Sequence, residues 1–416
     1  MKLEPLHLGC IWEKAMFAAA HVPKSTTIFY RFLCPSHRKI VRDCVLIAGF
    51  TKPRLSKCSA GQLPRRMASS SVKLSMTSSP TKSRSKPSVP RPSSSVILVS
   101  PKNEILLLHR VKTSTSFASA HVFPGGNLSK QDGPCPPSKD PKSHDDGPWY
   151  RHAALRELFE ESGILLAKDQ ATGKMLVVPE EERERGRRSI HKYETTFSEW
   201  LKKQNPAAIP DTEQLIPFTR WITPTNAPKR YSTQMYLYLL PLPLESEKPL
   251  LDELPLEGER EEIQVPSSDG GIEVTEAMFL PASEWLRMAR QGEIILFPPQ
   301  FLLLHLVAQF LDIEPHSTSY SLDDLQNQRT KLIDFVHSGS PPWTEKCISP
   351  KMLKMTSDNR TVLGLDHPGP ELKDTDRRGD PDRVVLVQFT QGSTRNLDVR
   401  RKKEVFSGHQ EKKSHL

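Results

Sequence analysis

The sequence predicts an α+β sandwich, with a mixed β-sheet held between helices, in the middle of a 416-residue chain. Three observations predict it. Short β-branched or alternating runs occur in two groups, one before and one after position 150. A strongly periodic helical stretch separates the groups, and further helical stretches follow the second. Strands, helix, strands, helix is the order of a layered domain, not of a helical bundle or an all-β barrel.

Order begins at Ser95, where "SVILVSP" is a β-branched strand and "NEILLLHR" a second, with Pro101, Lys102 and Asn103 as the turn between them. "FASAHVFPGG" alternates towards a third strand and ends in Gly125 and Gly126. The Pro- and Gly-rich "NLSKQDGPCPPSKDPKSHDDGPWY" that follows is a loop. "RHAALRELFEESGILLA" is a helix that Gly163 stops. "EEERERGRRSIHKYETTFSEWLKKQN" reads as one solvated helical segment. "LIPFTRWITP", "YSTQMYLYLLP" and "IEVTEAMFLP" read as strands, and Pro281 opens the helix "ASEWLRMARQ". "PPQFLLLHLVAQFLD" is a core helix, too short and too polar at His305 and Gln309 to span a membrane. Residues 316–416 are weakly patterned apart from a strand at "DRVVLVQF".

Charge divides the chain. The net charge is +9, but residues 1–94 hold 17 Lys and Arg against three acids, Glu4, Glu13 and Asp43, leaving 41 bases and 46 acids in the remainder. The expected globular body is therefore mildly acidic, which argues against a nucleic-acid-binding surface. The leader is rich in Ser, Pro, Lys and Arg and reads as a disordered arm or a transit peptide, with Met67 as a second candidate start. The six cysteines form no CxxC pair and no zinc spacing, which fits a reducing compartment.

The helix from Arg151 carries the chemistry. Ala154, Leu155, Leu158 and Phe159 share one arc, and Glu157, Glu160 and Glu161 share another. Like charges three and four residues apart repel, by a few tenths of a kcal/mol per pair. A hard divalent cation, Mg²⁺ or Mn²⁺, would offset that repulsion through oxygen ligands. Arg156 lies beside Glu160 on the wheel. The pattern in "RELFEESGI", R-E-hydrophobic-x-E-E-x-G-hydrophobic, arises by chance about once in 30,000 chains of this length, so an ordinary solvated Glu-rich face does not account for it.

The pattern resembles the second half of the Nudix box, G-x5-E-x7-R-E-U-x-E-E-x-G-U, at Arg156, Glu157, Leu158, Glu160, Glu161, Gly163 and Ile164. Counting back from Arg156 puts Pro148 where the family has glutamate. "GNLSKQD" instead gives Gly126, five residues, then Asp132, leaving 23 residues before Arg156 where the family has seven. The box 126–164 thus looks interrupted, with a loop insertion at about 133–148. Such an interruption is similar to the branch of Nudix hydrolases that resembles the peroxisomal coenzyme A diphosphatase. "SFASAHVFPGG", "WITPTNAPKRYSTQMYLYLLP" and "FPPQFLLLHLV" look like that branch too, over about residues 95–315. Ser232 departs from it, at a position where an acid is expected, and no Gly lies between Arg110 and Pro124.

The resemblance implies an α/β/α Nudix sandwich and metal-dependent hydrolysis of a nucleoside diphosphate derivative. Coenzyme A or acyl-coenzyme A would yield (acyl-)4′-phosphopantetheine and 3′,5′-ADP; NADH or ADP-ribose is the alternative substrate, and an inactive binding module the alternative of another class. It implies that Glu157, Glu160 and Glu161 hold the ions, that Arg156 fixes the box, and that Gly125 and Gly126 let the backbone come close. Arg110, Lys229 and Arg230 are candidate phosphate contacts, and Glu273 and Glu276 candidate further acids. His121, His152 and His191 form no constellation. Ser414, His415 and Leu416 resemble the S-K-L address, which implies a peroxisomal import receptor as partner and the peroxisome as location, with mitochondrion or cytoplasm as alternatives.

Overall fold

A computed structural model describes residues 87–112, 118–243, 274–312, 321–390 and 393–407. Most of the basic leader, Glu273, and the tail from 408 with Ser414, His415 and Leu416 lie outside the described residues.

The architecture is α+β around a mixed sheet. The strands β1 (Arg91–Val99), β2 (Ile105–Arg110), β3 (His121–Val122) and β4 (Gly125–Asn127) precede the box helix α1 (Pro148–Ser162). A ribbon of β5 (Ala167–Asp169) and β6 (Ala208–Pro210) brackets α2 (Glu180–His191) and α3 (Phe197–Gln204). Then come β7 (Ile216–Ile222), β8 (Tyr231–Leu239), β9 (Val274–Leu280), α4 (Ala282–Gln291), α5 (Pro298–Leu311) and α6 (Leu322–Val336). The chain continues through β10 (Cys347–Ile348), β11 (Lys351–Met355), β12 (Thr361–Leu365), β13 (Asp380–Thr390), β14 (Ser393–Arg401) and α7 (Lys402–Ser407). The main sheet runs β10-β7-β8-β1-β2-β3, with β4 on β1 and β9 on β2.

At the centre of the sheet β1 lies parallel to β8, from Arg91 opposite Tyr231 to Val99 opposite Leu239. Both faces of this sheet are covered, which is why its central strands read as continuous apolar runs. Val96, Leu98, Leu106, Leu108, Tyr236 and Tyr238 pack towards the side of α1 and α3. Ile97, Val99, Ile105, Leu107, Met235 and Leu237 pack on the other side with α4, α5 and α6. α5 is apolar around nearly its whole circumference because it is enclosed there.

Three readings change. Order starts ahead of Ser95, since Arg91 and the Ser run already pair with β8; polar residues hid a strand whose partner lies far along the chain. The segment after Pro179 is two helices and is not mostly solvated: Arg183, Arg187, Ile190, Phe197, Trp200 and Leu201 are buried. The break is written in "TFSE", where Thr196 accepts from the Glu199 amide and Glu199 from the Thr196 amide. Beyond residue 316 the chain forms α6 and a second sheet, β11-β12-β13-β14. One face of that sheet, with Leu363, Leu365, Val385, Val387 and Leu397, joins the core around α5. Its other face carries a smaller apolar cluster of Val362, Val384 and Leu386, and its edge strand β14 reads weakly because charge interrupts it, as in "STRNLDVRR".

The loop before α1 is firmly anchored. His144 is buried with its Nδ1 2.7 Å from Ser232 Oγ, which also accepts from Arg220. Asp145 pairs with Arg377, and Asp146 accepts from Arg151 and Tyr236. Burial, followed by the Arg220 charge, pushes the His144 imidazole down to about 4. Its folded-state proton affinity is thus below that of the unfolded chain, so its contribution to stability is present above the ordinary value near 6.5 and is lost as pH falls towards 4. Melting temperature is expected to drop over that window and to drop less steeply for His144→Asn; equal slopes for the two proteins would refute the assignment.

Candidate active site

Strand β4 and helix α1 bring the site together. Gly147 and Pro148 start α1, and Gly163, at φ 75°, ends it with its amide on the Phe159 carbonyl. Tyr150, Ala154, Leu155, Leu158 and Phe159 fix the helix on the sheet. This turns Arg156, Glu157, Glu160 and Glu161 towards β4 and the short turn at Lys130–Asp132.

Arg156 is the hub. Its Nε and Nη2 grip the two oxygens of Asp132 at 2.7 and 2.8 Å. Nη1 donates to Glu157 at 2.8 Å and to Glu160 at 2.9 Å, and Nη2 also to the Asn127 carbonyl at 3.1 Å. All five guanidinium N–H groups are used, in a side chain only 5% exposed. Burial opposes the Arg156 charge, but Glu157, Asp132 and Glu160 outweigh it and hold the proton more firmly.

Glu161 is held separately, by the Gly125 amide at 2.8 Å and Arg110 Nη1 at 3.2 Å. Gly126 makes room for Glu157: a Cβ there would stand 2.4 Å from its Oε2. Gly126→Ala is therefore expected to displace β4 or the Glu157 carboxylate and to lower melting temperature by several degrees. A melting curve unchanged from wild type would count against that packing. Gly125, at φ 155°, is equally confined, since a Cβ would meet the Ser94 carbonyl at 2.3 Å.

The remaining candidates divide. Arg110 joins the carboxylates through Glu161. Lys229 is exposed in the turn before β8. Arg230 is drawn into another network: it is buried and donates to the carbonyls of Ser88 and Thr223 and to Glu371. Its bonds do not include the box residues. Glu276 is exposed on β9, opposite His109. His121 stacks on His109 with ring centroids 4.6 Å apart, His152 lies on α1, and His191 Nδ1 is 4.0 Å from Glu160. Sequence reasoning missed the His144–Ser232–Arg220 anchor, whose members come from three separated segments.

The donor set suits a hard divalent cation: carboxylate oxygens on one face and no thiolate. Burial, only partly offset by Arg156 and reinforced by Glu160, pushes the Glu157 carboxyl up to about 7. That is the behaviour of a carboxylate with room for more positive charge. Among the described residues no group of three or more His, Cys, Asp or Glu is arranged to hold a metal ion by itself. Mg²⁺ seldom needs one, since it keeps waters and shares its ligands with substrate phosphates.

The family model described as NUDIX domain matches residues 89–240. This segment matches the Nudix domain. Among curated proteins, the chain is 29% identical over 151 residues to "Putative nudix hydrolase 7" of Caenorhabditis elegans, covering 36% of this chain and 44% of that protein. The chain thus spans less than half the length of this relative. Among solved structures, a NUDIX hydrolase from Alicyclobacillus acidocaldarius aligns at 22% identity and TM-score 0.40, over 56% of this chain and 97% of that one. A C. elegans Ap4A hydrolase aligns at 13% identity and TM-score 0.24, over 53% and 97%. The match ends just after β8, and β9, α4, α5, α6 and the second sheet lie beyond it.

Proposed function

We propose that this chain is a metal-dependent hydrolase that cleaves the diphosphate of coenzyme A or acyl-coenzyme A, giving 3′,5′-ADP and (acyl-)4′-phosphopantetheine. The observation that carries the reading is the grip of Arg156 on Asp132, 24 positions apart. It supports a Nudix box that closes in space around a loop insertion, the feature that resembles the coenzyme A diphosphatase branch. Glu157, Glu160 and Glu161 would hold the divalent ion, which when bound offsets phosphate charge and polarises the attacking water. The protein's own part is positioning. Arg156 keeps Glu157 and Glu160 on one side, Gly125 and Arg110 keep Glu161 on the other, and the diglycine strand lets the diphosphate approach. One of the three carboxylates takes the proton released by the attacking water as the P–O bond to the leaving phosphate breaks.

The test is a panel: free coenzyme A, acetyl-coenzyme A, NADH and ADP-ribose, each with Mg²⁺ or Mn²⁺ and with products separated. Metal-dependent release of 3′,5′-ADP from the coenzyme A substrates is expected. Cleavage of NADH or ADP-ribose alone would overturn the substrate, and cleavage of none would overturn the activity.

A further inference from the structure

Beside the carboxylates the surface opens into a cavity of about 640 Å³, within the range of small-molecule sites, roughly 300–1,000 Å³. One wall is the turn after β4, with Ser129 and Lys130; the other is the loop between α2 and α3, with Tyr193, Glu194, Thr195 and then Glu199. Two contacts tie this cavity to the box. The Ser129 amide donates to Asp132 Oδ2 at 2.7 Å, an oxygen that Arg156 also grips. His191, two residues before Tyr193, stands 4.0 Å from Glu160. A molecule lying in the cavity therefore borders the glutamate face.

Three of its features suit a bound ligand. Tyr193 is 82% exposed, held out from the end of α2 by a left-handed cap at φ 59° in which the Glu194 amide donates to the Ser189 carbonyl. Ser129 Oγ is buried without a hydrogen-bond partner. Lys130 is exposed and makes no ion pair among the described residues.

We propose that this cavity takes the adenosine end of the substrate. The base stacks on Tyr193, which needs only a π-face. The Glu194 carboxylate accepts from the exocyclic amine, Ser129 Oγ bonds the ribose, and Lys130 meets a phosphate on it. The diphosphate then extends over Glu157, Glu160 and Glu161. The inference rests on the hydrolase reading for the placement of the diphosphate, but binding of the base stands apart from turnover.

The test is calorimetric titration of the full chain with AMP in EDTA, with ribose 5-phosphate as the control that lacks a base. Wild type is expected to bind AMP more tightly than ribose 5-phosphate. Tyr193→Ser is expected to weaken AMP binding roughly tenfold, while Tyr193→Phe, which keeps the ring, stays within about twofold. The ring is exposed, so both variants should fold, and circular dichroism checks that they do. AMP bound no better than ribose 5-phosphate, or equally well by wild type and Tyr193→Ser, overturns the pocket. Ring-dependent AMP binding in a protein that cleaves none of the panel upholds the pocket and refutes the hydrolase. Cleavage of the panel with AMP binding indifferent to Tyr193 does the reverse.

Discussion

Arg156→Ala is expected to destabilise the protein by about 3–5 kcal/mol. The side chain is 5% exposed, so solvent cannot replace what is lost. Removing it strands the Asp132, Glu157 and Glu160 carboxylates and the Asn127 carbonyl without their shared donor. For a domain of this size the loss corresponds to a fall in melting temperature of roughly 10 °C. Arg156→Lys should recover only a minor part, because an ammonium cannot reproduce the planar fork on Asp132. A double-mutant cycle sharpens the test. Asp132→Ala in the Arg156→Ala background should cost less than it does in wild type, with coupling of about 1–3 kcal/mol. Additive effects would show that the pair is not the hub of the box.

Glu161→Gln is expected to lower the rate of metal-dependent hydrolysis at least about a hundredfold while leaving the fold intact. The amide has the shape of the carboxylate, and its oxygen can still accept from the Gly125 amide. What changes is charge. The negative group that faces Arg110 at 3.2 Å is gone, and with it the anionic oxygen that the proposed cation site would use. The apparent affinity for Mn²⁺ should fall alongside the rate, which electron paramagnetic resonance of free Mn²⁺ would read directly. Activity within threefold of wild type would remove Glu161 from the machinery.

The site was legible in the sequence where its parts lie on one helix. Glu157, Glu160 and Glu161 share a face by helical period alone, and counting from Gly126 points to Asp132, which Arg156 grips. Long-range partners were not legible. Nothing in "PWYRHAALRELFEE" says that Arg110 will reach Glu161, or that Arg230 will turn to Ser88 and Glu371. The fold follows the same division. β2, β7, β8 and α5 announce themselves because both faces of the strands, or the whole helix, are buried. β11 and β14 do not, because charged residues interrupt their apolar ones, and β12 does not because it is only five residues long. An exposed tyrosine such as Tyr193 acquires meaning only from the cavity beside it.

The parallel pairing of β1 with β8 joins segments 140 positions apart, and this sets a schedule for the chain during its synthesis. The strand that carries Ser93, Ser94 and Ser95 is also the one against which β4 and its two glycines are laid. At 5–20 residues per second, a ribosome takes on the order of ten seconds to make the stretch between β1 and its partner. Through that interval the diglycine strand and the glutamate helix have been made, but the central strand beneath them is missing a neighbour. A chain of this topology pays its loop-closure entropy late and folds slowly for its size. Truncations that stop before Leu239 would thus leave an unpaired, apolar strand edge, the form of the protein most exposed to aggregation.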